Sequence, residues 1–92
     1  MDGRSPFEFR RVTDGVVYRF EPEAGSPARW KRTGLDLWCE FHHGRGWVIA
    51  DSAGAVFGSP LDGDGDEDVP PAGRWRSQKG EKSYEYELVW VA

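Results

Sequence analysis

Cysteine is nearly absent: Cys39 stands alone among 92 residues. That excludes an internal disulfide and any metal site built on paired cysteines. Long apolar runs are missing as well, and none approaches the roughly 20 residues of a membrane-spanning helix. The opening residues, Met1-Asp2-Gly3-Arg4-Ser5-Pro6, lack the basic and apolar regions of a signal peptide. The expectation is a soluble protein of a reducing, intracellular compartment, the cytoplasm, with no membrane contact. Helical periodicity is also absent. Twelve glycines and six prolines punctuate the chain so often that no apolar 3.6-residue period lasts the ten residues a helix needs. The length leaves room for a single domain, residues 1–92, too small to enclose a deep, dry active site.

A real excess of one charge is lacking too. Sixteen acidic residues face 12 basic ones, for a net charge of −4, but Asp62, Asp64, Asp66, Glu67 and Asp68 form one run. Outside that run 12 basic residues face 11 acidic ones. The body is near neutral, which disfavours nucleic acid as the principal partner.

Aromatic residues are plentiful, at 14% with five tryptophans, so large flat side chains must build the core. The period that recurs is two. Phe7 and Phe9 alternate with Glu8 and Arg10, and Asp14-Gly15 turns the chain into Val16, Tyr18 and Phe20. Leu35, Leu37, Cys39 and Phe41 form one row, while Tyr84, Tyr86, Leu88 and Trp90 form another. Shorter strands are read around Trp30, over 47–50, over 55–57 and over 74–76. The pattern predicts an all-β antiparallel meander of about seven short strands, forming a small sandwich or open barrel. An acidic, Gly/Pro-rich exposed loop is expected at 58–73.

Several constellations invite chemistry. Alternate carboxylates in Asp62-Gly63-Asp64-Gly65-Asp66-Glu67-Asp68 imitate a calcium loop, but an EF-hand needs Gly where Glu67 stands and Glu where Gly73 stands. A solvated acidic loop is the expectation. Cys39, His42 and His43 carry zinc-ligand chemistry, yet in a strand His42 points away from the other two, so no metal is expected. Cys39 has no neighbouring base and sits on the apolar row, which leaves the thiol inert. With no convincing set of acid, base and nucleophile, neither an enzyme nor a cofactor is expected. Arg74 and Arg76 flank Trp75, and Lys31 and Arg32 follow Trp30, an interleaving that also occurs on surfaces for single-stranded nucleic acids.

The order Asp14-Gly15-Val16-Val17-Tyr18, Trp30-Lys31-Arg32, Leu37-Trp38, Gly46-Trp47-Val48-Ile49 and Pro70-Pro71-Ala72-Gly73-Arg74-Trp75 resembles a small Trp-rich all-β repeat module. That module, found in multidomain proteins of protists and algae, carries an N-G-x-Y opening, a W-x-I strand and a terminal P-P-x-x-W. The resemblance spans about residues 9–76. It departs from the pattern in Asp14 for Asn, in one extra residue before Tyr18, and in the strong strand after Trp75. It implies a non-catalytic adaptor or recognition unit and transfers no catalytic residue.

These readings converge on a protein-interaction or scaffolding module. Its expected contact surface is aromatic and basic: Trp75, Arg74 and Arg76 first, then Trp38 and Trp30. Trp38 is included because it faces away from the row of Leu37, Cys39 and Phe41. A free edge on the last strand offers a second mode, strand addition by a partner. The rival is a small-ligand or carbohydrate receptor in which Trp and Tyr stack on a ring. Shape separates the two, since a flat apolar patch suits a protein and a concave aromatic cleft with converging polar groups suits a ligand.

Overall fold

Alternating large and polar side chains bury one face of most strands, with β5 buried on both over 47–50, and the sheet protects the inner face by closing on itself. The computed structural model describes residues 5–23, 29–61 and 69–91. Its strands are β1 (Phe7–Arg11), β2 (Val17–Glu23), β3 (Arg29–Arg32), β4 (Trp38–His42), β5 (Gly46–Ala50), β6 (Val56–Pro60), β7 (Gly73–Lys79) and β8 (Lys82–Trp90). Each pairs antiparallel with the next, and β8 returns to β1 to close the barrel.

The strand count is eight rather than about seven, and the brief strand expected over 74–76 extends over Gly73–Lys79 and pairs along its whole length with β8. The barrel is closed rather than open. Five residue pairs, from Phe7 with Trp90 to Arg11 with Tyr86, join β1 to β8. The free edge expected on the last strand therefore does not exist, and strand addition there is ruled out. The loop expected at 58–73 is also shorter: Gly58, Ser59 and Pro60 belong to β6, Gly73 opens β7, and Pro70 is buried.

Inward-facing rings fill most of the barrel. Phe7 stacks on Phe20 at 4.9 Å between centroids, and Trp30 packs edge-on against Trp47 at 5.8 Å and Trp90 at 5.7 Å. Phe9 bridges to Trp75 at 5.3 Å. Two indoles satisfy their N–H groups within this packing: Trp30 Nε1 donates to the Ser5 carbonyl at 2.8 Å, and Trp75 Nε1 to that of Pro71 at 3.0 Å. With no polar or charged residue buried among the described residues, each large side chain contributes about 1.5–3 kcal/mol through burial.

Turn chemistry fixes where the strands reverse. Gly80-Glu81 joins the paired residues Lys79 and Lys82 in a two-residue hairpin. Gly80 has φ of 63° and Glu81 does not take a positive φ, the signature of a type II′ turn that wants glycine first. Four hairpins, at 12–16, 33–37, 51–55 and 80–81, gather at one end of the barrel. The start of β1, the end of β8 and the turn at 43–45 lie at the other. One irregularity breaks the ladder. Ile49 pairs with Gly58 but Ala50 pairs with Val56, so Phe57 is left over as a bulge. Gly58 keeps the approach there close: a Cβ would lie 3.1 Å from the Arg76 carbonyl oxygen, and accommodating it would require that strand to shift by a few tenths of an ångström.

Candidate functional site at the barrel mouth

The end that carries the four hairpins is not filled. A cavity of about 450 Å³ opens there, lined on β1 and β2 by Arg11 and Tyr18, on β3 and its turn by Arg32, Leu35, Asp36 and Leu37, and beyond by Asp51, Phe57, Ser77, Tyr84 and Tyr86. Eight-stranded barrels have just enough interior either for their own side chains or for one small ligand, and this one divides its interior between the two uses. All three tyrosines of the chain line the cavity.

Local sequence explains the placement. Arg11 is the last inward position of β1, Tyr18 and Arg32 are inward positions at the hairpin ends of β2 and β3, and Tyr84 and Tyr86 lie in the hairpin-proximal half of β8. The bulge brings Phe57 to the cavity wall, in keeping with the role of bulges in re-aiming a side chain.

Arg11 is held firmly. Its Nε and Nη2 donate to the two carboxylate oxygens of Asp14 at 2.9 and 2.8 Å, and the guanidinium lies 5.0 Å from the centre of the Tyr84 ring. The Arg11 hydrogen bonds, helped by the Val16 N–H, hold the Asp14 carboxyl below the usual carboxylate range. Burial pushes the Tyr86 hydroxyl above the ordinary tyrosine value, against the pull of its hydrogen bond from Arg11. Asp36 accepts the Ser52 hydroxyl at 2.6 Å, tying the β3–β4 hairpin to the β5–β6 turn. Asp51 accepts the N–H groups of Ala53 and Ala55, both at 3.0 Å, and so shapes its own turn.

Arg32 differs from its neighbours. It stacks over Tyr18 with 3.7 Å between guanidinium carbon and ring centre, and among the described residues it forms no ion pair. Stacking uses the face of a guanidinium and leaves its in-plane donors available.

The residues expected to form a contact surface are placed otherwise. Trp75 and Trp30 are 1% and 0% exposed and belong to the core, so neither belongs to a contact surface. Their strands put them on the inward face, and the closed barrel needs their volume. Arg74 and Arg76 do lie outside on β7, where Arg74 pairs with Glu85 at 3.3 Å. Trp38 also faces outward, on β4, with Arg29 at 5.2 Å and Lys31 at 5.6 Å from its ring. Strands β5 and β6 separate β4 from β7, so the two groups do not form one patch.

Cys39 is fully buried and burial pushes its thiol well up, which keeps it protonated and unreactive. His42 faces out and bonds to Glu40 at 3.0 Å, while His43 sits in an exposed turn. No metal-binding group of three or more His, Cys, Asp or Glu occurs among the described residues, and the acidic run 62–68 lies outside them. Among the described residues no helix is long and apolar enough to cross a membrane.

No family model, no curated protein and no solved structure matches this chain. The geometry of the mouth therefore carries the functional argument by itself.

Proposed function

We propose that this protein is a non-catalytic receptor for a small ring-bearing ligand, which it holds in the mouth of the barrel. The observation that carries this reading is the concave cavity of about 450 Å³ whose walls combine three tyrosines with Leu35, Leu37 and Phe57. That volume falls in the ordinary range for ligand pockets, and few polar groups set among aromatic walls are what such pockets use to orient a ligand. The competing protein-contact reading loses Trp75 and Trp30 to the core and keeps Trp38, Arg74 and Arg76 only as separated outer positions.

Titrating the ¹⁵N-labelled protein with 2-naphthoate and 2-naphthamide tests the proposal. The expected result is saturable shifts in the amides of residues 11, 18, 32, 35–37, 84 and 86. No shift at millimolar probe overturns it. Shifts confined to residues 29, 31 and 38 also overturn it, and favour an outer contact surface.

A further inference from the structure

The charged groups of the mouth are not equivalent, and their inequality defines what the ligand must carry. Arg11 already spends two donors on Asp14. Asp36 is engaged by Ser52 and Asp51 by two backbone N–H groups. Of the two arginines that line the cavity, only Arg32 is without an ion pair among the described residues, and Tyr18 lies under its guanidinium.

Resting on the receptor reading above, we propose that the ligand is a planar aromatic ring bearing a single carboxylate, with the carboxylate on the fork of Arg32 and the ring among Tyr18, Tyr84 and Tyr86. An arginine whose face is stacked presents two parallel N–H groups at its edge, the geometry that a carboxylate accepts. The stack also lowers the entropy lost when those bonds form, because the side chain is already ordered. The lining selects a monoanion. Among the described residues Asp36 and Asp51 carry no ion pair and Arg32 is the one unpaired cation beside them, so the doubly charged phosphate monoester meets more repulsion from the two carboxylates than a monocarboxylate does. Sugars fit less well than aromatic acids, because the side chains best suited to accept hydroxyl protons, Asp36 and Asp51, already hold the turns together.

Isothermal titration with 2-naphthoate, 2-naphthamide and 2-naphthyl phosphate reads this directly, on the wild-type protein and on Arg32→Gln, with Arg29→Gln on the outer face as control. 2-Naphthoate is expected to bind about tenfold or more tighter than 2-naphthamide, as hydrogen bonds to a charged group warrant, and tighter than 2-naphthyl phosphate. Arg32→Gln should abolish that advantage by weakening 2-naphthoate alone, and Arg29→Gln should preserve it. Arg32→Lys should restore part of it, since charge returns without the fork. Equal binding of 2-naphthoate and 2-naphthamide at the mouth overturns the carboxylate assignment and leaves the receptor reading standing. Preferred binding of the phosphate, or a preference that survives Arg32→Gln, also overturns it. Failure of all three probes to bind sinks the receptor reading itself.

Discussion

Along β1 the inward side chains run Phe7, Phe9, Arg11; along β8, read in the same spatial direction, they run Trp90, Leu88, Tyr86, Tyr84. Strands β2 and β3 repeat the gradient with Phe20 against Tyr18 and Trp30 against Arg32. At the end holding the chain's start, every inward position is apolar and every ring touches another ring. At the hairpin end the same strands offer tyrosines and arginines, whose polar tips need partners or water and so resist being packed shut. So small a barrel thus keeps a packed base and an open mouth together: one end supplies the stability, and the other leaves a cavity.

The largest test of this contrast is stability. Trp30→Ala, at the packed end, should cost about 3–5 kcal/mol, read from denaturant unfolding. Tyr84→Ala, at the mouth, should cost about 1 kcal/mol while abolishing probe binding. Equal losses from the two variants mean the mouth is as tightly packed as the base, and the contrast fails.

Much of this fold was legible in the sequence, because period-two alternation and glycine turns dictate strands whatever the tertiary context. The inward rows of Phe7 and Phe9, and of Tyr84 through Trp90, are where alternation places them. Closure was not legible, since pairing of β1 with β8 depends on the accumulated twist and stagger of every strand between them. The site was largely hidden for a related reason. Alternation tells which face Trp75 and Trp30 occupy but not that this face is inside a closed barrel, so the two looked available as contacts. A usable signal existed in the polar-tipped residues at the hairpin-proximal end of each inward row. It emerges only when successive strands are read in opposite directions.

A subtler difference concerns pH. The Asp14 carboxyl, held below its usual range by Arg11, contributes stability that is complete above the ordinary carboxylate value and is lost as pH falls through its depressed one. Wild type should therefore exceed Asp14→Asn in stability by a constant margin above about pH 5, and the margin should shrink on further acidification. A margin that grows toward low pH contradicts the Arg11–Asp14 assignment at the mouth.

Smallest of all should be the effect of altering the outer surface. Trp38 Nε1 is buried with no hydrogen-bond partner among the described residues, so Trp38→Phe removes an unsatisfied donor together with some packing area, and the two changes oppose each other. Its stability should stay within about 0.5 kcal/mol of wild type, with probe binding unchanged. Loss of probe binding in this variant moves the site from the mouth to the outside of β4.

On the reading proposed above, the mouth and not the outer face receives the ligand. Intermolecular nuclear Overhauser effects between the naphthyl protons of bound 2-naphthoate and the assigned side chains test it most directly. Binding in the mouth gives contacts to the rings of Tyr18, Tyr84 and Tyr86 and to the methyl groups of Leu37. Contacts to Trp38 with none to these tyrosines would contradict it.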